Sequence, residues 1–247
     1  ADRPLPTFAS QRLSQWFAHQ KPPAFDSAAA GRVLLFNDTY LEHYQPQIGK
    51  AAIELLEAAG YTVGLTTQGD SQRSAISQGD LDRAKRQGTR LFGRLDQLSS
   101  SSPILVCEPS CATALADDLP DLLDDEPLAQ RVAARVQMLD HFLEKELATG
   151  RCQLALQVPA NLTLTQFFVH GHCHQKILDG GSWTHKLVSR IPGAVVQDSE
   201  VGCCGMASPF GYEKEHTAFS RKIAAQKLLP RLADTAPEAN GVANSFA

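Results

Sequence analysis

The sequence contains no run approaching the roughly eighteen consecutive apolar residues of a membrane helix, and its N-terminus carries no charged-then-apolar signal peptide. A cytoplasmic protein is expected, associated with a membrane at most through a partner. Basic excess is also missing. The 23 Lys and Arg against 27 Asp and Glu leave a net charge of -4, whereas binding along a phosphate backbone calls for a surplus of cations. Nucleic acid is therefore not an expected partner. No G-x-G-x-x-G fingerprint, phosphate loop or G-x-S-x-G elbow occurs, so nothing supports nucleotide binding within the chain. Cysteine is sparse, with six residues at 107, 111, 152, 173, 203 and 204. That is too few for a disulfide scaffold in a chain able to build a core, and it points instead to metal or redox chemistry.

What is present is a globular composition: 247 residues, 43% hydrophobic and 20% charged, enough to bury a core as one large domain or two lobes. Disordered, collagen-like and coiled-coil readings fall away. The chain opens on Ala1-Asp2-Arg3-Pro4 and ends on an apolar, strand-like run from Gly241, and so reads as an excised piece.

Residues 1–30, with Pro4, Pro6, Pro22 and Pro23, read as a leader or linker holding one short helix around 13–17. From Val33 onward short apolar runs alternate with helical patterns, the signature of βαβ units and a parallel sheet. In a first lobe, 31–126, strands are expected at 33–36, 61–65 and 103–107. Helices with apolar stripes lie between them, one over Ile48, Ala52, Leu55 and Leu56 and one over Leu81, Ala84, Leu91 and Leu95. A long bridging helix after Pro127 is expected from the stripe Val132, Val136, Leu139, Leu143 and Leu147. A second lobe, closing the segment 127–247, repeats the order: strand 166–169, helix about 183–191, strand 194–197, helix 213–231 and strand 241–246. The lobes read as a divergent internal repeat, with loop 68–79 corresponding to loop 199–212. The acidic run from Asp117 through Asp125 to Glu126 is a solvated helix end and loop.

The chemistry-bearing residues fall at the carboxyl ends of the expected strands, where open α/β sheets place their ligands. Cys173 lies in His170-Gly171-His172-Cys173-His174 after one strand, and Cys203-Cys204-Gly205 follows the next. Consecutive strands of βαβ units are neighbours, so the three thiols are expected to converge. Adjacent cysteines in an extended segment point to opposite sides and fit poorly on one tetrahedral ion, whereas a multi-iron cluster offers several metal corners. Gly205 allows the turn that wraps them. Cys111, after the first lobe's third strand, is a fourth candidate if the lobes face each other. Cys152 is read as a small buried hydrophobe. His170, His172 and His174 alternate and could ligate zinc, or donate hydrogen bonds to cluster sulfurs.

Cys173 followed by Cys203-Cys204-Gly205 resembles the cysteine-rich CCG domain. That domain is found in the B-type chain of heterodisulfide reductase, in iron–sulfur subunits of glycolate oxidase and anaerobic glycerol-3-phosphate dehydrogenase, and in FAD-linked 2-hydroxyacid dehydrogenases, the last being the nearest likeness. Matching phrases run through the chain: Arg3-Pro4-Leu5-Pro6, Leu35-Phe36-Asn37-Asp38-Thr39, Glu108-Pro109-Ser110-Cys111, His172-Cys173-His174-Gln175, Gly202-Cys203-Cys204-Gly205 and Gly241-Val242-Ala243-Asn244. The resemblance implies the C-terminal domain of a larger flavoenzyme, with FAD and ferredoxin-type clusters on other segments and a quinone or other acceptor downstream. Asp70-Ser71 stands where the first lobe's own cysteine pair would be, so that lobe is not expected to hold a cluster. The family also places a cysteine shortly after the strand matching Gly241, and here the sequence stops at Ala247.

The expectation is thus two pseudo-repeated Rossmann-like lobes with parallel sheets and a site between them. An iron–sulfur cluster, 4Fe-4S in type, would sit on Cys111, Cys173, Cys203 and Cys204, with His172, His174 and Gly205 around it, and would carry electrons from FAD. The alternatives are a zinc-binding structural or hydrolytic domain and a metal-free docking domain.

Overall fold

In the computed structural model the described residues are 3, 5–20, 30–66, 69–124, 126–157, 166–180, 182–234 and 240–243. The expected Pro4, Pro22, Pro23, Gln68, Asp125 and strand end 244–246 lie outside them. The chain divides into two units, one of residues 8–154 and one of 1–7 with 155–247.

In the first unit, the continuous apolar run at 33–36 is what a strand covered on both faces requires. It forms β1 (Gly31–Leu35), whose last three residues are buried. Parallel strands need crossover helices. Asp38 caps α2 (Thr39–His43), accepting from the Tyr40 and Leu41 amides at 2.8 and 3.0 Å, and α3 (Pro46–Ala58) follows on its apolar stripe. Gly60, at φ +90°, stops α3 and turns the chain into β2 (Tyr61–Leu65). Next come α4 (Arg73–Ser77), α5 (Leu81–Leu98) and β3 (Ile104–Val106). The short helix before β1, α1 (Leu13–Ala18), joins this unit's core. Leu13 is fully buried against Gly49. Ser14 donates from its amide (3.0 Å) and hydroxyl (2.6 Å) to the carboxylate of buried Glu42, which also accepts from Asn37 Nδ2 at 2.8 Å.

After β3, α6 (Pro109–Thr113) widens through 114–118 into α7 (Leu119–Leu122). Pro120 has no N–H for the fourth carbonyl back, which favours the wider turn. In the acidic run on either side of α7, Asp118 pairs with Arg73 and Asp124 with Lys85 at 2.6 Å. The single bridging helix expected after Pro127 is not formed. The segment is α8 (Pro127–Ala133), a strand β4 (Val136–Met138) and α9 (Leu139–Ala148). β4 pairs in parallel with β3, Ile104 opposite Val136 and Val106 opposite Met138. An open sheet edge captured three residues whose spacing also fits a helix, and it gives the order β2-β1-β3-β4.

The second unit contains β5 (Gln166–His170), α10 (Cys173–Asp179), α11 (Trp183–Ser189), β6 (Val195–Asp198), a 3₁₀ turn at Ser208–Tyr212, α12 (Thr217–Asp234) and β7 (Asn240–Ala243). Its sheet is parallel in the order β6-β5-β7. Counted from each central strand this repeats β2-β1-β3, so both units are wound alike. The α/β class and the parallel, Rossmann-like winding are those the sequence leads one to expect.

Candidate functional site: the thiols at the edge of the second sheet

β5 is the middle strand of its sheet, with Phe168 and Val169 buried. Two residues past its end, His172 caps α10, its Nδ1 accepting from the His174 amide at 3.2 Å. That bond leaves the Nε2 hydrogen of a neutral His172 free to donate. Cys173 is the first residue of the helix and is exposed.

The loop after β6 is tied to the same edge at several points. The Ser199 amide donates to the Val169 carbonyl at 2.7 Å, and the Ser199 hydroxyl pairs with His170 Nδ1 at 2.9 Å. Val201 is buried, and its carbonyl accepts from Lys176 Nζ at 2.7 Å. Exposed Cys203 and half-buried Cys204 follow. They sit five and six positions beyond the end of β6 rather than directly at it. The turn is completed by Gly205 at φ +87°, whose amide donates to Cys203 Sγ at 3.2 Å. A Cβ at this position would penetrate the carbonyl oxygen of Ser220 on α12, so the residue must be glycine on both counts. Arg3 secures the next stretch, donating to the Gly211 carbonyl at 2.8 Å, Ser220 Oγ at 3.2 Å and Met206 Sδ at 2.7 Å.

The Cys173 thiol senses both its burial and the other two thiols. The Cys173 thiol is pushed up by desolvation first and then by Cys203, with a lesser push from Cys204; the His174 and Cys173 amides oppose the rise. Burial, then the neighbouring His174, His170 and Lys176 charges, lower His172 to about 4. Burial and Lys176 also lower His170. At neutral pH these two imidazoles are uncharged. The rings of His172 and His174 stack at 5.4 Å and 12° instead of converging on a point. Among the described residues, no three His, Cys, Asp or Glu side chains are gathered to hold a single metal ion.

Cys173, Cys203 and Cys204 thus share one unit, whereas Cys111 belongs to the other. Cys111 is buried in α6 and accepts from the Ser71 hydroxyl at 3.0 Å. Burial, then the Asp38 and Glu108 charges, push its thiol well up, so it is held protonated. Burial first, and then Asp38, Asp140 and Glu108, raise Cys107 strongly as well. Cys152 is buried, as expected. Sequence reasoning passes over Lys176 and Ser199 and meets Arg3 only within the phrase Arg3-Pro4-Leu5-Pro6, without a role for it. Lys176 carried a signal, lying one helical turn after Cys173; nothing in the sequence tied Arg3 to the loop after Cys204.

No family model matches the chain. It is similar to the C chain of anaerobic glycerol-3-phosphate dehydrogenase of Escherichia coli (strain K12), 23% identical over 226 residues that cover 90% of this chain and 55% of that protein. It is also similar to D-2-hydroxyglutarate dehydrogenase of Pantoea ananatis, 23% identical over 211 residues, 84% of this chain and 19% of the relative. A third relative is lactate utilization protein A of Bacillus subtilis, 26% identical over 189 residues, 72% of this chain and 74% of the relative. The chain spans about half the length of the first of these.

Proposed function

We propose that this chain is the iron–sulfur electron-transfer domain of an FAD-dependent 2-hydroxyacid oxidoreductase, with Cys173, Cys203 and Cys204 as thiolate ligands. The observation that carries the reading is the placement of Cys173 and the Cys203-Cys204 pair after neighbouring parallel strands, at one edge of the second sheet. The donor set fits the group. Soft thiolates suit iron–sulfur clusters, and a multi-metal cluster accepts neighbouring cysteines that a single tetrahedral ion does not. The Gly205 turn brings a backbone N–H to one of the sulfurs.

When bound, the cluster supplies one-electron transfer. The protein's share is to hold three sulfurs, to donate hydrogen bonds to them from the Gly205 amide and from His172 and His174, and to set the local charge. These levers tune the reduction potential. The oxidation of the hydroxy acid belongs to an FAD-binding domain of the same polypeptide or complex. Ferredoxin-type domains relay the electrons to a quinone or other acceptor. Two of the relatives bear the names of 2-hydroxy acids, hydroxyglutarate and lactate, and a third is a dehydrogenase subunit, which supports that class of chemistry.

Iron, zinc and acid-labile sulfide, measured with the visible spectrum on protein prepared without oxygen and again after reconstitution, test the reading. Matched iron and sulfide with a brown chromophore is the expected result. Stoichiometric zinc in a colourless protein, or no metal in either preparation, overturns it.

A further inference from the structure

Lys176 lies three residues after Cys173 on α10, and residues so spaced are neighbours on one helix face. Its ammonium does not simply extend into water. It donates to the carbonyl of buried Val201 at 2.7 Å, two residues before Cys203. This single side chain therefore joins the helix that begins with Cys173 to the loop that carries the other two thiols.

We propose that Lys176 is a positioning residue for the thiol site: its bond to Val201 sets the spacing of Cys173 from Cys203 and Cys204, and its charge balances the thiolates held there. The inference rests on the function proposed above and deepens it.

Lys176 acts through geometry and, separately, through charge. The loop from Ser199 to Gly205 has no regular secondary structure, so its course depends on discrete anchors. The Ser199 amide fixes its start at β5, and the Gly205–Ser220 approach fixes its end. The bond from Lys176 holds the middle, next to the cysteines. An ammonium donating to a buried carbonyl is a strong hydrogen bond because the donor is charged. Breaking it frees the stretch from Val201 to Cys204, between the Arg231 contacts to Ser199 and Glu200 and the Gly205–Ser220 approach, and with it the distance from Cys173 to the pair. As for the charge, thiolates and a reduced cluster are anionic, and a fixed cation nearby favours the more negative redox state.

The test uses the full chain, reconstituted anaerobically with ferrous iron and sulfide, as wild type, Lys176→Met and Lys176→Arg. Methionine keeps the length and apolar stem without donor or charge; arginine keeps both donor and charge. Far-ultraviolet circular dichroism of the metal-free forms establishes that each is folded. The readouts are the cluster's midpoint potential and the rate at which a chelator strips its iron. Lys176→Met is expected to shift the potential downward and to speed iron loss several-fold, with Lys176→Arg returning both toward wild type. A folded Lys176→Met that loads iron and sulfide and matches wild type in both quantities overturns this inference alone. Wild-type protein that takes up neither iron nor sulfide overturns the proposed function, and this inference with it.

Discussion

The amide of Gly205 points at the sulfur of Cys203, 3.2 Å away, while the space where a side chain on Gly205 would begin is filled by the backbone of Ser220. The turn that presents the thiols is thus locked to α12 by a contact that only glycine permits.

Gly205→Ala is expected to disrupt the site. A left-handed conformation costs a non-glycine residue roughly 1–2 kcal/mol, and the collision with the Ser220 carbonyl adds displacement of either the loop or α12. Iron and sulfide uptake should fall sharply, together with the thermal midpoint of the metal-free protein. Uptake equal to wild type would show that the turn is not needed.

The cysteines should separate into classes when replaced one at a time. Cys203→Ser is expected to abolish bound iron with the circular dichroism spectrum unchanged, and Cys152→Ala to leave iron stoichiometry as in wild type. Cys111→Ser is the discriminating variant for the fourth ligand expected from the sequence: lost iron assigns Cys111 to the cluster, and unchanged iron removes it.

Stability should depend on pH through Asp38, which burial first, and Glu108 next, raise to about 7. A carboxyl free in the unfolded chain titrates near 4. The folded state therefore binds the extra proton, so the stability this group contributes is fully present below about pH 4 and is lost as pH rises to about 7. Asp38→Asn keeps an N-cap acceptor for the Tyr40 and Leu41 amides and removes the charge. It is expected to raise stability at pH 8 by a few kcal/mol, on the order of 1.4 kcal/mol for each tenfold difference in proton affinity between the folded and unfolded states. Urea midpoints of the two proteins between pH 4 and 8 check this, and parallel curves would sink it.

Leu13→Ala should destabilise the first unit by about 2–5 kcal/mol, the usual cost of emptying a fully buried leucine site. Iron bound per chain should stay the same in the folded variant, because Cys173, Cys203 and Cys204 belong to the other unit. A variant as stable as wild type, by calorimetry, would mean that α1 is not part of that core.

Much of the fold was legible in the sequence because buried parallel strands are written as continuous apolar runs. β1, β2, β3 and β5 appear within a residue or two of where Val33, Tyr61, Ile104 and Gln166 announce them. β4 was not legible: Val136 and Met138 alternate as a strand does, yet Val132, Val136 and Leu139 also fit a helical stripe, and three residues cannot decide between the periods. Cys173 and the Cys203-Cys204 pair could be placed together because neighbouring strands deliver them to one edge. What fixes them could not be read. The Lys176–Val201 bond ends on a backbone carbonyl, which has no sequence signature, and Arg3 reaches Ser220 across 217 positions of chain.

The two sheets share one winding order, so the loop after β2 and the loop after β6 are the same place in two copies of a pattern. One copy presents cysteines there. The other presents Asp70 and Ser71, and Ser71 spends its hydroxyl on the buried sulfur of Cys111. The same position in the winding is taken by a loop with exposed Cys203 in the second unit and by a serine turned onto a buried sulfur in the first, whose sheet has one strand more. The winding is common to both units, and what distinguishes them is the set of side chains that one loop carries.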